Sequence, residues 1–511
     1  MMSNKYLTGW VVLAVALNAC MTDHRDPGSF QENPANFREI ASTDLGGEAS
    51  AEIAAYDPFT KRLFVVNNED APKIEVIELS STGTSSLMAT KGQFIDVSAL
   101  GGVANSVAVH SGKLAIALEA TDKQANGSVV VINTSTLATI RQISVGALPD
   151  MVTFSPDGTY IVTANEGEPD GLYTVGAKDP EGSISIINVT DNYSVKTLNF
   201  AAFSGSLSQL AADGFRIYGP NATFEQDVEP EYVAVSADSK KAWVTLQENN
   251  GIAEVDLVAG TILKIHPLGT KDYNLAANGI NPSDQDANDL TLGPWPVKSF
   301  FLPDAISYFT AGGQGYLITA DEGDAREYAG YDEQVRVSSL NLDAVLFPNA
   351  TDLKLPAKLG RLRVTKSAGN SIVDSKVVYN TLYGFGGRGF SIYNATTGQR
   401  VFEAGKSLEE QVITAGLYDD SRSDDKGVEP EGVTVGMMNG KPIAFVGMER
   451  ADAIAVYDVS NPAAPQFLQL FKTGDAPEGV LFIPAKDSPT GHSLLVISSE
   501  GDGTVKIYQA A

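Results

Sequence analysis

One cysteine and four histidines are all that the 511 residues hold of either type. A single cysteine excludes an internal disulfide. So few histidines argue against a histidine-rich transition-metal centre. Positive charge is also scarce: 36 Lys and Arg stand against 63 Asp and Glu, a formal net charge of -27. Such a surface repels nucleic acid and draws cations, divalent ones included. Apolar spacing of helical period is rare along the chain. The apolar run Leu7–Leu17 is too short to span a bilayer. There is no nucleophile elbow and no His-Glu-x-x-His motif, and "GFGGRG" at 384–389 lacks the Lys-Ser/Thr of a phosphate loop.

What is present suits a large, turn-rich β protein: 43% hydrophobic residues, 48 Gly, 18 Tyr and 21 Phe. The N-terminus reads as an export signal, with Lys5 ahead of the apolar run. Leu17-Asn18-Ala19-Cys20 resembles a bacterial lipobox. The expectation is a signal peptide over 1–19 and an acylated Cys20 that attaches the protein to the membrane. A polar tether would follow over 20–36, then one domain over 37–511. The protein would then sit in the bacterial cell envelope, periplasmic or surface-exposed.

Three kinds of apolar run recur in a fixed order. The first follows an acid or amide: "EIAAY" (52–56), "NSVAV" (105–109), "DMVTF" (150–154), "EYVAV" (231–235), "DAISYF" (304–309), "EGVTV" (431–435) and "EGVLFI" (478–483). The second ends in an acidic cluster, as in "YIVTANEGE" (160–168) and "GYLITADEGD" (315–324). The third alternates again, as in "SISIINV" and "AIAVYDV". Each has strand length, β-branched content and period-two alternation. "SPDG" at 155–158 marks a turn between the first and second runs of one unit. Repeating strand units that cannot close a core alone predict an all-β fold, a single-ring β-propeller of seven or eight four-stranded blades. The eighth would come from a weaker unit at 376–395, "KVVYNTLYGFGGRGFSIYNA". The last unit stops at its third strand, so "FREIAST" at 37–43 is expected to supply the fourth and close the ring.

In such a blade the first strand lines the central channel, and the end of the second meets its start on one face. "VEPEYV" (228–233), "VEPEGV" (428–433) and "APEGV" (476–480) therefore set carboxylates at the channel mouth, with proline fixing the bend. Glu52, Asp150, Glu231, Asp304, Glu431 and Glu478 should converge with Glu69, Glu119, Glu166, Glu248, Asp321, Glu322, Glu449 and Glu500. Oxygen-only ligands favour Ca²⁺ or Mg²⁺. The candidate metal ligands are Glu52, Asp150, Glu166, Glu231, Asp304, Asp321, Glu431 and Glu478, with Ca²⁺ the expected cation. Arg326, Arg388 and Arg450 fall on the same kind of loop, either as salt-bridge partners of the acids or as an anion clamp beside a metal. "NPSDQDAND" (281–289) is a polar loop or a Ca²⁺-stapled one; without the loop Gly and terminal Glu it is no EF-hand.

The stretches "WPVKSFFLPDAI", "YLITADEGDAREY", "RSDDKGVEPEGV" and "AFVGMERADAIAVYDVSNPAAP" resemble the choice-of-anchor I proteins over roughly 40–511. These are exported propeller proteins that carry one of several surface anchors. Their animal relatives include mesenchyme-specific cell-surface glycoproteins. The resemblance implies a propeller outside the cytoplasm, with the lipobox as its anchor. Some relatives carry the label alkaline phosphatase, and a looser similarity to Ca²⁺-dependent propeller phytases rests on fold and acidic mouth alone. Two functions follow as expectations. One is binding or display at the envelope, with divalent cations and phosphorylated or envelope ligands as partners and no nucleic acid. The other is a Ca²⁺-dependent phosphomonoesterase, with Arg326 or Arg450 steadying developing charge.

Overall fold

The computed structural model describes residues 31–83, 86–174 and 176–511. Residues 1–30, which hold Cys20 and the expected signal peptide, lie outside the described residues. From Glu32 to Ala511 the chain forms one compact unit.

Seven four-stranded antiparallel sheets stand around an axis. Their first strands begin near Ala54, Ala104, Pro149, Pro230, Ile306, Pro430 and Pro477. Each first strand packs against that of the next blade, and the last packs against the first. The second strands, such as Arg62–Asn67 and Leu494–Ser499, are almost wholly buried and carry apolar side chains on both faces. The outer strands meet solvent on one face and become polar, as in Thr139–Ala147. The "SPDG" turn forms as expected, with Asp157 accepting from Ser155 Oγ and the Thr159 amide, and Gly158 left-handed.

Among the described residues there is no eighth blade. The unit expected at 376–395 divides: Gly389–Asn394 is the third strand of blade five and pairs with Gln314–Asp321. The 67 residues between those strands form much of a side lobe (322–388). That lobe joins 270–300 around Tyr273, Ile280, Val337, Leu359 and Leu382. Its small sheets pair Gln334–Arg336 with Arg363–Thr365, and Asn370–Val373 with Lys376–Tyr379.

Phe37–Asp44 supplies the fourth strand of blade seven, running antiparallel to Thr504–Ala510 with Phe37 opposite Ala510. Phe37 packs edge-on against Phe445 at 5.1 Å. The ring is thus closed by hydrogen bonds and apolar contact between the two ends of the chain. Ahead of this strand, Glu32 accepts from the Ser493 hydroxyl and amide, and its backbone exchanges two hydrogen bonds with the Asn439 side chain.

Candidate functional site

A repeated irregularity builds the channel mouth. Just after the start of the first strand the register slips at Ala104/Ser106, Pro149/Met151, Pro230/Val233, Pro430/Val433 and Pro477/Gly479. In blades one and five the same two-for-one pairing is made by hydrogen bonds of Glu52 and Ile53 to Val66, and of Asp304 and Ala305 to Ala320. The extra residue of each bulge is the acid or amide that opens the first strand. A β-bulge re-aims one side chain without ending the strand. Leu148, Leu302, Glu429 and Ala476, each directly before a proline, are left-handed with φ of 46–49°. Such a non-glycine conformation costs about 1–3 kcal/mol and persists only where packing enforces it.

The bulges carry Glu52, Asn105, Asp150, Glu231, Asp304, Glu431 and Glu478: six carboxylates and one amide, one per blade. The residues directly after the seven second strands are Asn68, Glu119, Glu166, Gln247, Glu322, Glu449 and Glu500. Asp150, Glu166, Glu231, Asp304, Glu431 and Glu478 share one cavity of about 460 Å³. Glu52 lies at its edge, where Asn68 Nδ2 donates to both of its oxygens at 3.2 and 2.9 Å.

Burial and mutual repulsion hold these groups well above the ordinary carboxylate range. Burial is the main cause for Glu231, Asp304, Glu431 and Glu478, and neighbouring carboxylates add to it. Burial lifts Asp150 to about 7, with Glu168 adding and Lys123 opposing. Glu52 also rises to about 7, by burial against the Asn68 hydrogen bonds, with Glu500 and Asp150 repelling.

Two carboxylate triplets stand out within this mouth. Oxygens of Glu166, Glu231 and Glu248 lie within 4.8 Å of one another, as do those of Glu322, Glu429 and Glu449. Glu229 and Glu429, the first acids of the two "EPE" copies, do not join the inner ring. Glu229 is buried against Arg326 at 2.8 Å, and Glu429 against Arg422 at 2.6 Å. Sequence reasoning overlooked both, together with Lys426; the doubled acid around each proline was the available signal.

Two expected site residues lie elsewhere. Asp321 is not at the mouth. It is the last paired residue of its strand, so alternation turns it into the blade, where it accepts from Thr319 and Ser391 at 2.7 and 2.6 Å. Arg388 is buried beneath the side lobe, donating to the carbonyls of Asn281, Ser423 and Asp425. Arg326 borders the cavity but is committed to Asp227 and Glu229. Arg450 is at the mouth with 40% of its side chain exposed, 2.9 Å from Glu449. The three arginines therefore form no single clamp. Glu69 is exposed and accepts from the Gly47 amide. In the 281–289 loop Asp284 is held by Arg361 through two bonds of 2.7 and 2.8 Å.

Residues 52–462 match the choice-of-anchor I domain. The chain is similar to the mesenchyme-specific cell surface glycoprotein of Strongylocentrotus purpuratus, 26% identical over 64% of this chain and 47% of that protein. It is also similar to gigasin-3a of Magallana gigas, 30% identical over 30% of this chain and 64% of that protein. The matches thus span between about half and two thirds of those relatives' lengths. Among solved structures, Kuenenia stuttgartiensis hydrazine synthase is similar at 14% identity and a TM-score of 0.47, covering 91% of this chain and 96% of that one. The WD40 domain of Toxoplasma gondii coronin is similar at 9% identity and a TM-score of 0.45, over 94% and 88%. With four fifths of its length matched, the chain belongs to the choice-of-anchor I family.

Proposed function

We propose that the protein is an envelope- or surface-anchored binding module whose propeller mouth takes up divalent cations, Ca²⁺ foremost, and through them an external ligand. Acylated Cys20 would be its attachment. The observation that carries this reading is the construction of the mouth: the same bulge in every blade turns a carboxylate or amide into one channel. So many acids in a partly desolvated space repel one another unless protons, protein cations or metal ions intervene. The test is calorimetric titration of the chelator-stripped protein with Ca²⁺ and with Mg²⁺. Saturable uptake is expected. Absence of heat and of any melting shift with either ion overturns the reading.

A second reading, Ca²⁺-dependent hydrolysis of phosphomonoesters, is favoured by Arg450 and Lys426 bordering the same cavity as the acids. There a metal would activate water and the cations would meet the phosphoryl oxygens. A panel of phosphomonoesters assayed with EDTA and then with Ca²⁺ decides it. Turnover that Ca²⁺ restores supports hydrolysis, and its absence leaves the binding role alone.

A further inference from the structure

We propose that the mouth takes one divalent cation and not two, at Glu166, Glu231 and Glu248, because Lys426 already serves as the resident cation of the matching cluster. This rests on the cation-binding reading above. The two triplets are alike in spacing and differ in their surroundings. Around Glu322, Glu429 and Glu449, Lys426 Nζ stands 3.4 Å from Glu322, 3.5 Å from Glu429 and 2.9 Å from Asp324. Arg422 and Arg450 complete the neutralisation. That ammonium stands against two of the three carboxylates, where it competes with a metal ion, and it is delivered by the same loop that brings Glu429.

Among the described residues, no cationic side chain forms an ion pair with Glu166, Glu231 or Glu248. Arg326, which borders the same cavity, is ion-paired with Asp227 and Glu229, and its charge reaches Glu248 only from a distance. Glu248 is only 5% exposed, lines the cavity, and its Oε2 has no hydrogen-bond partner. A buried carboxylate oxygen left unpaired is costly. Oxygens within 4.8 Å of one another can share a Ca²⁺ ion, whose ligands sit about 2.3–2.6 Å from the metal. Three carboxylates leave coordination positions open toward the cavity, where water or a ligand oxygen would bind.

The experiment is calorimetric titration of the chelator-stripped chain with Ca²⁺, in wild type and three variants. Wild type should take one equivalent. Glu166→Gln with Glu248→Gln should weaken uptake about tenfold or more, since affinity follows ligand charge. Glu322→Gln with Glu449→Gln should keep the single equivalent and weaken it far less than the first pair does, through the loss of nearby negative charge alone. Lys426→Met should admit a second, weaker equivalent, weaker because both arginines remain. Two equivalents in wild type, or uptake lost with the Glu322/Glu449 pair and kept with the Glu166/Glu248 pair, overturns the assignment while leaving cation binding intact. A folded Lys426→Met that still takes one equivalent refutes the resident-cation role. If that variant does not fold, the two glutamate pairs decide the placement. No uptake in wild type defeats the underlying reading itself.

Discussion

Glu52→Gln is expected to stabilise the cation-free protein at about pH 8 and to leave it unchanged at about pH 4. Glu52 sits at the mouth's edge, with its carboxyl raised from 4.5 to about 7 chiefly by burial, then by Glu500 and Asp150 against the opposing Asn68 bonds. The folded state therefore holds this proton more tightly than the unfolded chain. That advantage is complete below the unfolded value and fades as pH climbs through the folded one, so the cost of ionising the group is full above about pH 7. A rise of this size corresponds to roughly 3 kcal/mol, and solvent at the mouth trims it toward about 2 kcal/mol. Glutamine removes the charge and can still accept from Asn68. Globular proteins unfold with about 2.1 cal/mol/K per residue, so a unit of this size gains about 2–3 °C in Tm. Thermal unfolding in EDTA across the pH range measures it. Added Ca²⁺ should raise both proteins at about pH 8, since Glu52 is not among the three carboxylates assigned to the ion, and neither much at about pH 5, where protons compete for those oxygens. A variant that melts below wild type at every pH would refute the argument, and Glu52 would then be a structural hydrogen-bond acceptor.

Three other outcomes are expected. Phe37→Ala empties a site 3% exposed in the closing strand and should cost about 3–5 kcal/mol in denaturant unfolding, while deletion of 37–43 bares a sheet edge and promotes aggregation seen by light scattering. Arg326→Met strands Asp227 and Glu229 in the interior and should cost about 3–5 kcal/mol, read as a lower urea midpoint. Cys20→Ser should move the protein from the membrane to the soluble fraction; a wild type that is already soluble and carries no acyl mass excludes the lipid anchor.

The propeller was legible because its signal is repetition: seven runs, six led by an acid and one by an amide, mark seven first strands, and period-two alternation distinguishes them from helix. The blade count was less legible. The 322–388 insertion separates the second and third strands of blade five, so "GFSIYN" reads as a unit of its own when it completes an earlier one. At the site, the ring acids were visible as a class, since each opens a first strand. What decides their direction is a one-residue bulge, and no residue type announces it. Asp321 and Glu322 show the consequence. Adjacent in sequence, they face opposite ways because the strand alternates: one is bonded inside the blade and the other is turned to the mouth. The arginines were legible only as loop residues. Their roles depend on partners far along the chain, such as Arg326 with Asp227, which no spacing rule connects.

The closing strand also links the two faces of the ring. Phe37 pairs with Ala510 and Asp44 with Thr504, so this strand starts at the end of the blade remote from the carboxylates and runs toward them. Glu32 is fastened to Asn439 and Ser493, which lie at that same remote end, beside the turns that join first and second strands. The propeller's first residues are thus pinned on the floor side of the channel, and the closing strand climbs one blade from that floor to the rim of the mouth. The seam that completes the ring therefore ties the two faces of the disc together.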